Sequence, residues 1–207
     1  MEVADIFSKL DSASLVLFDL DDTLYAEDHY LKAGYSAISN DAAMSSGLQA
    51  GDILAWMESE FKKAGRRQIF QKLCQEFAIS NDSIEGWIEL LRTVEIPEGL
   101  RLKSWVGPVL ERCRGKTAIL TNGNSTQQEN KVRLLGIRKT FPEVPVYFAE
   151  LWQPKPSVAV LSAIQADFSF TPKDALMIGD SRVDEAFARS AQMVFLDVNL
   201  IERACAN

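Results

Sequence analysis

Leu15-Val16-Leu17-Phe18-Asp19-Leu20-Asp21-Asp22-Thr23 is the stretch that decides the fold. Its first half is a short apolar run, long enough for one fully buried strand and too short for most helices. Its second half puts Asp19, Asp21 and Asp22 where that strand would end. In an open α/β sheet, ligands collect just beyond the carboxyl ends of the strands. Acids crowded at such a place repel one another and cost stability unless a cation or a proton is shared among them. A hard divalent cation such as Mg2+ meets that need, because it prefers oxygen ligands and usually takes one or two carboxylates. The plain alternative, on this stretch alone, is a strand that runs into an acidic, solvated turn.

Before this stretch, Val3, Ile6, Phe7 and Leu10 recur at helical spacing, which predicts a short amphipathic helix over residues 2–10, broken by Asp11-Ser12. The first strand is expected over about 14–20. From Tyr25 to about Leu102 the character changes: residues 26–39, 49–63, 66–78 and 82–94 read as amphipathic helices, with breaks at Gly47, Gly51, Gly65 and Asn81-Asp82. No strand pattern interrupts them. Trp56 and Trp87 are read as packing anchors within this insertion. Pro97-Glu98-Gly99 turns the chain back.

Beyond it, Trp105–Arg114 reads as a helix and 116–121 as a second buried strand. A helix over about 126–135 stops at Gly136. A third strand, 144–149, carries Pro145, which suits its start or an edge position. Pro156 fits the first position of a helix over 157–166. A strand over 174–179, a helix from Asp184 to about Ser190, a strand over 193–197 and a short helix over 199–204 complete the chain. Strands alternating with helices imply parallel βαβ units.

The 207 residues are 47% hydrophobic, enough for a real core. A net charge of -7 argues against a general nucleic-acid binder, which needs an excess of Lys and Arg, but leaves room for a phosphorylated small molecule. Cys74, Cys113 and Cys205 are far apart and odd in number, so neither a Zn site nor a disulfide framework is expected. A cytoplasmic location fits such cysteines best. Glu2 and Asp5 stand where a signal peptide would carry a basic region, and no apolar run approaches the length of a membrane span.

Four short segments now stand at strand ends or helix starts: Asp19-Leu20-Asp21-Asp22-Thr23, Thr121-Asn122-Gly123, Lys155, and Gly179-Asp180 with Asp184. In order and type they resemble the four motifs of the haloacid-dehalogenase-like (HAD) hydrolases. The resemblance runs over the full chain and places the helical insertion where that family's type 1 cap sits. It implies an α/β core of residues 1–24 and 103–207, a Rossmann-like parallel sheet of about five strands with helices on both faces. Residues 25–102 would be a helical cap domain inserted after the first strand.

The resemblance also implies an activity: a Mg2+-dependent phosphatase that hydrolyses a small phosphorylated metabolite through an aspartyl-phosphate intermediate. Asp19 would be the nucleophile, since a carboxylate can form such an intermediate. Asp21 would be the general acid and base. Thr121 and Asn122 would offer a hydroxyl and backbone N–H groups to phosphate oxygens near a helix N-terminus, with Gly123 permitting close backbone approach. Lys155 would offset charge on Asp19 and the phosphate. Asp19, Asp180 and the backbone carbonyl of Asp21 would ligate Mg2+, while Asp184 would hold a metal-bound water or Lys155. Thr23 is expected to fix its turn through its hydroxyl, and Asp22 is read as a solvated or capping carboxylate. His29, Tyr25, Tyr30, Lys62, Lys63, Arg66 and Arg67 are candidate substrate contacts from the insertion.

Two other readings stay open. Phosphomutases of the β-phosphoglucomutase type share all four motifs, although they often carry Gly-Val where this chain has Asp22-Thr23, which leans towards a phosphatase. A non-catalytic phosphate-binding or partner-binding module could use the same fold. Dehalogenases are less apt, because their hydrolysis does not call for an acid two residues after the nucleophile.

Overall fold

The Leu15–Phe18 run forms strand β1, buried at every position, in a computed structural model that describes residues 3–205. Helix α1 (Val3–Ser12) precedes it. Four helices follow: α2 (Glu27–Ser46), α3 (Ala50–Ala64), α4 (Ile69–Phe77) and α5 (Ser83–Thr93). The sheet then resumes with α6 (Val106–Arg112), β2 (Thr117–Thr121), α7 (Ser125–Leu134), α8 (Ile137–Thr140) and β3 (Val146–Phe148). It closes with α9 (Leu161–Asp167), β4 (Ala175–Gly179), α10 (Arg182–Ser190), β5 (Val194–Asp197) and α11 (Val198–Cys205).

All five strands are parallel, in the order β3-β2-β1-β4-β5. Leu17 of β1 pairs with Ala118 on one side and Met177 on the other. Every residue of β1, β2 and β4 is buried. That explains their unbroken apolar runs, because a strand covered on both faces has no solvent side to alternate with. Leu15, Leu17, Leu120 and Met177 pack with Ile164 and Phe187. Phe18, of opposite parity, meets the ring of Trp105 at 6.3 Å between centroids. The α/β sheet with helices therefore has the architecture expected from the sequence.

The chain forms two compact units. Residues up to Glu27 join those from Leu100 onward in the α/β unit, and Asp28–Gly99 form a helical unit. The helical unit has its own core of Tyr35, Ile38, Ile53, Met57, Phe70, Leu73 and Trp87. Trp87 is fully buried and its indole N–H donates to Asp41 Oδ2 at 2.9 Å. Trp56 packs edge-on against Phe77. No described residue of this unit is in a strand.

Several boundaries differ from expectation, each for a tertiary or local reason. α1 runs through Asp11-Ser12, because Lys116 Nζ donates to the carbonyls of Leu10, Asp11 and Ala13 at 2.8, 2.7 and 2.9 Å. A cation there suits the negative end of a helix. Gly51 lies inside the first turn of α3 and breaks nothing, whereas Gly47 and Gly65 sit at positive φ just after helices. α9 begins at Leu161, so Pro156 is not at a helix start. Residues 155–156 are instead tied to the site described below. β3 is an edge strand, as Pro145 implied.

Candidate active site

Three strand ends converge. β1 stops at Phe18, and the Asp19 N–H still pairs with Ile178 O at 2.9 Å, which carries Asp19 to the rim of the sheet. β2 ends at Thr121 and β4 at Gly179, delivering Asn122 and Asp180 to the same edge. The chain leaves β1 for β2 on one side and meets β4 on the other, so this edge is the switch point where α/β folds open a crevice.

Lys155 lies at the centre, 4% exposed. Its ammonium donates to Asp19 Oδ1 at 2.5 Å, to Asp184 Oδ1 at 2.6 Å and to Leu120 O at 3.0 Å. Those contacts use all three of its protons. Asn122 fixes the lysine's backbone: its side-chain oxygen accepts from Lys155 N–H at 2.8 Å and its NH2 donates to Lys155 O at 3.0 Å. This two-point clasp fixes the backbone at Lys155, ahead of α9. Asn122 was expected to offer its backbone N–H to phosphate; its side chain serves Lys155.

Asp184 is anchored by a capping box at the start of α10. Ser181 Oγ accepts from Asp184 N–H and donates to Asp184 Oδ2 at 2.6 Å, and Ser181 N–H donates to the same oxygen at 3.2 Å. Burial pushes the Asp19 carboxyl up to about 7; Lys155 pulls it down, and the charges of Asp184 and Asp21 push it up. Burial by itself would lower the Lys155 ammonium, but Asp19 and Asp184 outweigh that and raise it. Asp180, exposed at the rim, is raised by partial burial and then by the charge of Asp184.

Oxygen atoms of Asp19, Asp180 and Asp184 lie within 4.8 Å of one another. The donor set is all oxygen, and two of its carboxyls are held above their ordinary range, which fits a hard divalent cation. Asp184 spends one oxygen on Lys155 and the other on Ser181. Asp19 and Asp180 are therefore the carboxylates suited to ligate, with Asp184 behind them.

Asp21 points into a different cluster. Lys131 Nζ donates to both of its oxygens at 2.8 Å, Tyr25 OH donates to Oδ1 at 2.6 Å, and Gln128 Nε2 donates to Oδ2 at 2.8 Å. Lys131 also reaches Glu27 Oε1 at 2.7 Å. Burial by itself would raise the Asp21 carboxyl; the charge and hydrogen bonds of Lys131, with Tyr25 and Gln128, hold it below its ordinary value. Gln128 also reaches the Thr121 hydroxyl at 3.1 Å, and that hydroxyl donates to Asn122 O at 3.2 Å. The α7 N-terminus holds a carboxylate already, since Ser125 N–H donates to Glu150 at 2.5 Å.

Lys131, Gln128 and Glu27 escaped the sequence reading. The available signal was on α7: Gln128 and Lys131 stand three apart, the spacing of one helix face, and both are buried. Asp22 is at φ 56° and its carboxylate accepts from the N–H of Glu27, the first residue of α2, at 3.0 Å, so it caps that helix. The buried Thr23 hydroxyl has no hydrogen-bond partner among the described residues, so it does not fix the turn as expected. Tyr30 is buried, donating to Leu91 O at 2.6 Å, while His29, Lys62, Lys63, Arg66 and Arg67 are exposed.

The family model of haloacid dehalogenase-like hydrolases matches residues 13–192. The chain belongs to this family. Among solved structures, a magnesium-bound protein from Bacillus subtilis assigned as a HAD hydrolase has a TM-score of 0.63 at 17% identity, covering 88% of this chain and 87% of its own. A Thermotoga maritima protein assigned as a β-phosphoglucomutase gives 0.63 at 17% identity, covering 93% and 98%. A HAD phosphatase from Thermococcus onnurineus gives 0.54 at 21% identity, covering 87% and 84%. At these identities the likeness is one of fold. No curated protein matches by sequence. This HAD-like hydrolase has no helix among its described residues long and apolar enough to cross a membrane.

Proposed function

We propose that this HAD-like hydrolase is a divalent-metal-dependent phosphatase that acts on a small phosphorylated metabolite. The observation that carries the reading is the partition of two neighbouring carboxylates. Asp19 sits against Lys155 at the rim, and Asp21 is held apart by Lys131. Two carboxylates at one strand end with separate partners can take separate roles in phosphoryl transfer.

An Asp19 oxygen attacks phosphorus, forming the acyl phosphate as the ester P–O bond breaks, and the leaving oxygen takes a proton from Asp21. A water oxygen then attacks phosphorus, its proton passes to Asp21, and the Asp19–phosphorus bond breaks, returning the carboxylate. Lys155 orients Asp19 and offsets the charge gathering on the phosphoryl oxygens. Asp19, Asp180 and the Asp21 carbonyl are assigned to Mg2+, which when bound supplies charge stabilisation to the phosphoryl oxygens. Thr121 and the backbone N–H groups after it are assigned to phosphate.

Substrate choice is assigned to the helical unit, taken as the cap, because the reactive groups named above all lie in the α/β unit and a fold does not set its substrate. The test is release of inorganic phosphate from a panel of phosphorylated metabolites with and without Mg2+. Metal-dependent release supports the reading; full activity in excess chelator, or no release from any member, overturns it.

A further inference from the structure

Asp21 accepts hydrogen bonds from three side chains at once. Lys131 bonds to both of its oxygens, Tyr25 to Oδ1 and Gln128 to Oδ2. A carboxylate offers about four acceptor sites, and these contacts number four. Lys131 is itself fixed: its side chain is 1% exposed, and Glu27, 3% exposed, grips the ammonium at 2.7 Å. A buried lysine with two carboxylate partners does not swing away without stranding a charge. Gln128 and Lys131 share the rigid helix α7, while Tyr25 and Glu27 lie on the segment that follows Asp21 itself. The frame therefore ties the strand end to α7 through side chains on both.

We infer that Lys131, braced by Glu27 and assisted by Tyr25 and Gln128, is a positioning residue for Asp21, fixing the plane of its carboxylate for the step in which water attacks the acyl phosphate. The inference rests on the phosphatase reading and goes beyond it, since none of these residues touches the reacting phosphorus in the assigned chemistry. Water activation is the demanding half of the reaction for such a frame. The carboxylate must be the acceptor, and a water arriving beside Asp19 can replace one donor while the remaining ones keep the plane. A lysine bonded to both oxygens sets that orientation, and Tyr25 and Gln128, each on one oxygen, narrow it further.

The test isolates the second step with 2,4-dinitrophenyl phosphate, whose leaving group departs without a proton. In Lys131→Met, the first turnover should form dinitrophenolate at near the wild-type rate. Steady-state turnover should then fall by about 10²-fold, the scale of lost acid–base assistance. Acyl phosphate should accumulate on Asp19 in a quenched sample. Tyr25→Phe, which removes one hydroxyl and no charge, should show the same burst pattern with a smaller drop. If Lys131→Met folds poorly, Tyr25→Phe decides the question.

A merely structural role would lower the burst and the turnover together; that result, or unchanged turnover in Tyr25→Phe when Lys131→Met has failed to fold, overturns the inference. Absence of any phosphoryl group on Asp19 in the wild type would instead sink the phosphatase reading, and this inference with it.

Discussion

The carboxylate of Asp184 lies over the α-carbon of Gly179. A methyl group at Gly179 would sit 2.5 Å from Asp184 Oδ2 and 2.6 Å from its Cβ and Cγ. The glycine at the end of β4 thus makes room for the acid that holds Lys155. Gly179→Ala should push Asp184 off Lys155 and cost about 1–3 kcal/mol, the usual scale of overpacking. Denaturant midpoints and phosphate release, measured together, check this. A neutral alanine would mean that Asp184 has slack the structure does not show.

The nucleophile assignment has a direct test. Asp19→Asn keeps the shape and removes the attacking charge, so turnover should fall by several orders of magnitude. Labelled-phosphate trapping or fluoroberyllate binding should mark Asp19 in the wild type only. A phosphoryl group trapped on another residue would refute the assignment.

Metal dependence and pH are linked through Asp19. Its carboxyl is raised to about 7, against about 3.9 in an unfolded chain. The native state therefore holds that proton more tightly, and the stability it contributes is full below about pH 4 and lost as pH rises through about 7. Asp180 is shifted in the same direction. A divalent cation favours the ionised carboxylates, so Mg2+ should raise the melting temperature more at pH 8 than at pH 5. Asp180→Ala should shrink that shift. Equal shifts at the two pH values would speak against a cation shared by these acids.

Asn122 is predicted to act through Lys155. Asn122→Ala removes both hydrogen bonds of the clasp, worth about 1–3 kcal/mol together. It also frees the lysine's backbone, so turnover should drop with Asp19 itself intact. Undiminished stability and turnover would show that the prolines on either side hold Lys155 unaided.

Selectivity should follow the helical unit. Replacing exposed Lys62, Arg66 or His29 should reorder a substrate panel while hydrolysis of a small, undemanding phosphate ester continues. Unchanged ratios across the panel would remove the helical unit as the selector.

Much of this protein was legible along the chain. Apolar runs too short for helices marked β1, β2 and β4, because strands buried on both faces must be apolar throughout. Helical periodicity marked α2 to α5, and acids at strand ends marked Asp19 and Asp180, because these are local patterns written in consecutive residues. Lys155 needed the sheet order before it could meet Asp19, since 136 residues separate them. The end of α1 depended on Lys116, a partner remote in sequence. Lys131 was hidden most thoroughly. A lysine on a helix reads as solvated unless its carboxylates are known, and only folding brings Asp21 and Glu27 to it at 2.8 and 2.7 Å. Burying a charge is too costly without a partner, and the identity of that partner is a property of the tertiary structure alone.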